Sequence, residues 1–311
     1  MKLSLFKTEF PIMLAPMAGF TDMTYRSICR EHGCDFTFTE MISAKGLKYG
    51  GKSADLMETA PNERPCGIQL FGRDPDIMAE MARRICGENK GELALIDINM
   101  GGPAPKITGS ALMKEPGVAA RVIEAVVRAS DLPVSVKFRK GWDSGHVNCV
   151  DFARMAEASG AAFVTIHGRT RDQMYSGAAD WEVIAEAKAA LSIPVIGNGD
   201  VTGGSSAIAM RDYTGCDGIM IARGALGNPY VFQEVKAAFA GVPYTPPSNA
   251  ERLDLAIAHV RGLVAHKGPH GVIEMRKHIA YYVRGMKGAS VFRTAATLAP
   301  TAEALIAMIE E

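Results

Sequence analysis

Lys137 and His167 are the side chains in this sequence best suited to holding a redox-active ring. An amine and an imidazole in one pocket place positive charge against an electron-rich edge and stabilise its reduced anion, as the N1–C2 carbonyl edge of a flavin requires. Gln69 can hydrogen-bond the amide edge of the same ring, and Asn99 and Arg139 are further polar groups of this kind. Two glycine-rich stretches suit an anion. Asn198-Gly199-Asp200 runs into Val-Thr-Gly-Gly-Ser, and Ala222-Arg223-Gly224 follows some twenty residues on. Glycine permits close backbone approach, free N–H groups at a following helix start attract phosphate, and Arg223 adds a charge-assisted bond. Residues 199–204 do not fit the GxGxxG dinucleotide fingerprint, so a nicotinamide cofactor is expected only as a visiting reductant.

These residues need a common scaffold. Short apolar runs at 12–15, 36–39, 67–70, 95–98, 134–138, 163–166, 194–196 and 218–221 alternate with stretches of helical periodicity, among them 75–88, 118–129, 149–158, 181–190 and 205–213. Continuous apolar runs are the mark of strands buried on both faces. Eight β-then-α units predict an α/β fold, a closed (β/α)₈ TIM barrel; an open doubly wound sheet is the alternative. In a barrel the chemistry lies at the carboxyl ends of the strands. Those ends carry Pro16-Met17-Ala18, Glu40, Gln69, Asn99, Lys137 with Arg139, His167 with Arg169, Asn198-Gly199-Asp200 and Arg223-Gly224. Nearly every strand delivers a polar group to one rim.

The alternation stops near Gly241. Residues 241–249 are rich in proline and polar residues and read as a linker. Helical patterns follow at 251–267, 273–286 and 301–310, so the expected organisation is a barrel over 1–242 and a C-terminal helical domain over 243–311.

The chain of 311 residues holds 34 basic and 34 acidic side chains, so any attraction to nucleic acid must be local. It is local in the tail: residues 251–293 carry eight Lys and Arg against three Asp and Glu, with His259, His266, His270, His278 and Tyr281-Tyr282 among them. Basic groups interleaved with aromatic ones suit phosphate tracking and base stacking; a solvated helical face is the plainer alternative. The six cysteines form no CxxC pair and no zinc-like spacing, so reduced thiols and no metal are expected. With no signal-like or membrane-spanning stretch, the expectation is a cytoplasmic protein with no membrane association, and a monomer.

The same residues resemble the tRNA-dihydrouridine synthase family, its bacterial B-type branch in particular. The likeness runs through Ala15-Pro-Met-Ala-Gly-Phe-Thr-Asp22, Asp97-Ile-Asn-Met-Gly101, Val136-Lys-Phe-Arg139, Ile166-His-Gly-Arg-Thr-Arg171, Gly197-Asn-Gly-Asp200 and Ile221-Ala-Arg-Gly224, and on to Arg276-Lys-His-Ile-Ala-Tyr-Tyr282. The resemblance implies an FMN-dependent oxidoreductase that reduces uridine in tRNA at the expense of NAD(P)H. Pro16, Met17 and Ala18 would line the ring, Gln69, Lys137 and His167 would meet its polar edges, and Asn198, Gly199, Asp200, Ala222 and Arg223 would hold the phosphate end. In that reaction hydride passes from flavin N5 to C6 of the base, and an acid protonates C5 of a base pulled from its stack. Lys137, His167, Arg139, Asn99 and the residue at position 102 would form the catalytic set.

At one position the chain departs from the family. Where the family reads Asn-x-Gly-Cys-Pro-Ala, with the Cys as acid, this sequence reads Asn99-Met-Gly-Gly-Pro-Ala104, so Gly102 replaces the acid. The following stretch, 105–110, also looks shorter than the family's by about four residues on ordinary loop lengths. Loss of a positioned acid commonly costs about 10²–10⁴-fold in rate. Three outcomes stand open: a slow synthase protonated from another source, a flavoenzyme turned to a different reduction or transfer, and a non-catalytic protein that binds flavin and RNA.

Overall fold

Strand β5 (Val134–Gly141) shows how the wall is built. Val134, Val136 and Phe138 pack outward against the helices, and the intervening Ser135, Lys137 and Arg139 face the interior. The same alternation runs along β4 (Leu93–Met100) and β6 (Phe163–Thr170), turning Leu95, Asp97 and Asn99 inward from one and Phe163, Thr165 and His167 from the other. The remaining strands are β1 (Ile12–Leu14), β2 (Ile42–Ser43), β3 (Cys66–Phe71), β7 (Val195–Asn198) and β8 (Gly218–Ile221). All pair in parallel in the order β1-β8-β7-β6-β5-β4-β3-β2.

The computed structural model describes residues 5, 6, 8–102 and 109–311, with 52–54 as backbone alone. The cylinder closes through residues 36–39, which bridge β1 at Met13–Phe36 and β3 at Phe38–Gly67. This stretch, expected as a full strand, makes only these isolated bridges, and the regular pairing with β3 comes later, from β2. The interior is graded along its axis. Met13, Phe36, Phe38, Leu95, Phe163, Ile196 and Met220 form an apolar plug, with Phe6 packed edge-on against Phe36 and Phe163. Beyond it, towards the carboxyl ends of the strands, Asp97 accepts hydrogen bonds from Gln69 Nε2 and Ser135 Oγ, both at 2.6 Å.

The outer layer comprises α1 (Met23–Glu31), the short α2 (Ala44–Lys48), α3 (Pro75–Glu88), α4 (Pro116–Ala129), α5 (Cys149–Ala158), α6 (Glu182–Ala190), α7 (Gly204–Thr214) and α8 (Val231–Ala240). Helix α1 fills the place after β1 that eight β-then-α units require, although its apolar stripe is interrupted. Its Arg26 points into the protein, where Glu63 holds Nε at 2.8 Å, and a buried arginine breaks the apolar stripe by which a helix is recognised.

An extended stretch over 242–248 leads to α9 (Asn249–Lys267), whose start is a capping box: Ser248 Oγ accepts from Glu251 N and the Glu251 carboxylate accepts from Ser248 N. Helices α10 (His270–Tyr282), α11 (Ala289–Ala296) and α12 (Ala302–Glu310) follow. They share a core of their own that includes Val260, Leu263, Met275, Ile279, Leu305 and Ile309. The helix expected over 273–286 begins earlier and stops at Tyr282, because Gly285 and Gly288 both turn into the left-handed region. The tail lies directly on the barrel. A Cβ on Gly227 (φ +64°) would come within 2.4 Å of the Tyr281 carbonyl carbon, so only glycine permits that approach.

All six cysteines are unpaired. Among the described residues no helix is long and apolar enough to cross a membrane.

Candidate active site at the barrel mouth

Register places the inward polar residues in one band at the carboxyl ends of the strands. Asn99 pairs with Lys137 across β4 and β5, Arg139 with His167 across β5 and β6, and His167 with Asn198 across β6 and β7. A cavity of about 1050 Å³ opens above this band. Of the fourteen residues to which the resemblance gives a catalytic or cofactor-binding role, thirteen line it: Pro16, Met17, Ala18, Asn99, Gly102, Lys137, Arg139, His167, Asn198, Gly199, Asp200, Ala222 and Arg223. Gln69 is the one left out. It is fully buried, gives Nε2 to Asp97 and accepts from Asn99 Nδ2 at 2.8 Å, so it supports Asn99 from behind.

Lys137 Nζ donates to Asn198 Oδ1 at 3.1 Å. Burial, and then the Arg139 guanidinium, bring the ammonium down to about 8, so it is charged at neutral pH. His167 behaves differently from the sequence expectation of a cationic pair. Burial, followed by Lys137, Arg139, Arg169 and Arg223, holds the imidazole down at about 2. It is a neutral hydrogen-bonding group, and the positive charge at this mouth belongs to the lysine and arginines around it.

Arg139 spends its donors on backbone. Nε reaches Gly101 O at 2.9 Å, and Nη1 reaches Thr170 O at 3.0 Å and Met174 O at 3.1 Å. It staples the turn after β4 to the loop after β6. Asp200, expected at a phosphate, instead accepts from Arg169 Nη2 and from Ala179 N, both at 2.7 Å, and lies 3.4 Å from Arg223 Nη2. Repulsion would keep a carboxylate off a phosphate; here it orients the arginines. The start of α7, expected to offer free N–H groups, is already occupied: Ser206 Oγ takes Thr202 N and Gly203 N, and the Glu234 carboxylate takes Gly204 N at 2.8 Å. Arg223 presents a half-exposed guanidinium at this end, 4.5 Å from the centre of the Tyr175 ring.

On the opposite wall Asn99 Oδ1 accepts from Gly101 N at 3.1 Å and Gly102 N at 2.7 Å. Gly102 O accepts in turn from Ser110 Oγ at 2.5 Å. The loop read as shortened falls at 105–108 outside the described residues. Gly102 itself faces the cavity, so no side chain projects from the position where the resemblance puts an acid.

Several lining residues were missed by sequence reasoning as parts of this site: Phe20, Met41, Tyr175, Tyr244, Arg252, Tyr281 and Arg284. Arg252, Tyr281 and Arg284 had been assigned to an RNA-binding face, and the tail carries them to the barrel mouth. Of the aromatic and imidazole groups placed on that face, His259, His278 and Tyr282 are buried in the tail's packing against the barrel.

A parallel barrel that gathers polar and cationic side chains around a cavity at the carboxyl ends of its strands has the architecture of a barrel enzyme. The chain belongs to the dihydrouridine synthase (Dus) family, whose sequence model matches residues 13–310, and it is a flavin-dependent oxidoreductase. It is 41% identical over 288 residues to the probable tRNA-dihydrouridine synthase 1 of Synechocystis sp., covering 91% of this chain and 80% of that one. With tRNA-dihydrouridine synthase B of Xanthomonas campestris it shares 40% identity over 307 residues, covering 96% and 92%. Among solved structures it resembles a variant of NCR from Zymomonas mobilis, with TM-score 0.54, 15% identity and coverage of 79% and 91%. It also resembles histamine dehydrogenase from Rhizobium sp. 4-9, with TM-score 0.55, 14% identity and coverage of 84% and 49%. At these identities the two structures share the fold and nothing finer.

Proposed function

We propose that the chain is an FMN-dependent reductase of uridine in tRNA, acting in the cytoplasm with NAD(P)H as a dissociable reductant. The observation that carries the reading is the lining of the mouth: Lys137, Arg139, Arg223, Arg252 and Arg284 face one cavity against the carboxylates of Asp200 and Glu234 alone. That excess calls for an anionic occupant, and the donor set fits flavin mononucleotide. Lys137 and His167 would meet the polar edge of the ring, Pro16, Met17 and Ala18 its face, and Arg223 its phosphate, with Asp200 holding the arginines in place. FMN, when bound, supplies hydride transfer. Asn99, braced by Gln69, fixes the turn at Gly101 and Gly102 on the substrate side, and Arg139 joins that turn to the Tyr175 loop. Tyr281, Arg252 and Arg284 would greet an everted nucleotide from the tail, proposed as the RNA-binding unit over 243–311.

The bare backbone at Gly102 favours a second reading, in which the same flavin site serves a different reduction or transfer. The two separate cleanly. Purified protein should be yellow and release FMN on denaturation, and tRNA from a deletion strain should lack dihydrouridine at one or more positions. Unchanged dihydrouridine at every position, with no reduction of that tRNA in vitro, would leave the second reading standing. Colourless protein that refuses FMN would remove both.

A further inference from the structure

Away from the mouth, where the tail meets the barrel, three buried ligand-type side chains converge. Asp22 lies at the start of α1, His259 on α9 and His278 on α10, and one ligand atom from each lies within 4.8 Å of the other two. All three residues are buried. None of Asp22 Oδ2, His259 Nε2 and the two ring nitrogens of His278 has a hydrogen-bond partner among the described residues. Buried polar atoms are ordinarily satisfied, and an orphan set of four at one point needs a reason.

The neighbouring bonds already prepare the group. Asp22 Oδ1 caps α1 by accepting from Tyr25 N at 3.1 Å, which leaves Oδ2 free. The Tyr282 hydroxyl lies 3.2 Å from His259 Nδ1; a proton on Nδ1, given to that oxygen, turns the Nε2 lone pair inward. A ligating histidine fixed through its other nitrogen is the usual support of a metal. Tyr25 stacks on His259 and Phe20 packs edge-on against His278, so the rings are walled in by aromatic surface.

We infer that Asp22, His259 and His278 form a binding site for a divalent transition cation of the zinc type, which ties the barrel loop after β1 to the two longest tail helices. One carboxylate and two imidazoles suit zinc, with water as a fourth ligand. Tetrahedral zinc holds its ligand atoms roughly 3.4 Å apart, so the three atoms close up modestly on binding. Sequence spacing gave no sign of the site, because its ligands come from three separate elements. Lys267 is the competitor: its Nζ lies 3.8 Å from Asp22 Oδ2, although Glu274 holds it at 2.7 Å.

The test uses the full chain without a polyhistidine tag. About one zinc per chain should survive purification. Chelator-treated protein should gain the visible bands of tetrahedral Co(II) on titration and melt at higher temperature with Zn(II) than without. Asp22→Asn keeps the helix cap, and it and His278→Gln should each weaken Co(II) binding about 100-fold or more; Tyr282→Phe should weaken it about 10-fold. Wild-type chain with no retained metal, no Co(II) bands and no Zn(II)-dependent melting shift would assign Asp22 to Lys267 alone and overturn the site. So would a metal that His278→Gln binds as tightly as the wild type.

Discussion

Arg139 and His167 are register partners on adjacent strands, and the guanidinium adds to burial, with Lys137, Arg169 and Arg223, in keeping the imidazole uncharged. The acid–base behaviour of the mouth therefore belongs to Lys137. Its ammonium is present below about 8 and discharges above it. FMN affinity should fall as pH rises from 7 to 9, by at most about tenfold per unit, because the polar edge of the ring binds the charged ammonium more tightly than the neutral amine. Fluorescence titration against pH measures this. Lys137→Met should bind weakly at every pH and lose the slope; an unchanged slope in that variant would exclude Lys137 as its source.

His167 gives the opposite kind of signature. The unfolded chain protonates this ring near its ordinary value of about 6.5, and the folded chain holds off until about 2. The unfolded state thus binds more protons throughout that window, and stability is lost as pH falls below 6.5, by up to about 1.4 kcal/mol per unit from this group. Urea melts at pH 7 and 5.5 should show a smaller drop for His167→Gln than for the wild type. Equal drops would mean that the imidazole is charged in the folded protein.

Restoring the family's acid is sterically feasible. A Cβ at Gly102 would sit 3.1 Å from Asn99 Oδ1 and 3.7 Å from Met41 Sδ, so Asn99 must yield by a few tenths of an ångström. Gly102→Cys should cost about 1 kcal/mol in stability. It should raise single-turnover uridine reduction about tenfold, less than the 10²–10⁴ of a fully positioned acid, because Asn99 also holds the turn. A full 10⁴-fold gain would show that the turn needs no repositioning.

Gly227 tests the joint between barrel and tail. Gly227→Ala adds a left-handed strain and a Cβ within 2.5 Å of Tyr282 N, together roughly 2–4 kcal/mol. Melting temperature should drop, and tRNA affinity should drop further than FMN affinity, since Arg223 and Lys137 stand on the barrel wall. Equal losses of both ligands would mean that the joint supports the whole cavity.

The barrel was legible because its strands are continuous apolar runs, and the site was legible because inward polar residues interrupt those runs at their ends. Lys137, His167 and Asn198 could be grouped from that pattern alone. What the pattern hid was direction of use. Gln69 and Asp200 have the right chemistry for a ligand, but a neighbour on the next strand or loop claims each of them, and such pairings depend on register that a single sequence does not display. Helix α1 carries an inward Arg26, whose partners Glu63 and Glu58 O lie more than thirty residues away and leave no local mark in the sequence. The tail's buried histidines look like surface groups until α9 and α10 are packed on α1.

The stretch at 36–39 joins the two sides of the cylinder by a pair of solitary bridges, where every other junction is a run of consecutive hydrogen bonds. A hoop with one lightly fastened stave breathes there first. Deuterium should enter the amides of Phe36 to Thr39 ahead of those in β4 to β6, and unfolding should begin as a lengthwise split along that line, leaving the five-strand arc from β4 to β8 intact for longest.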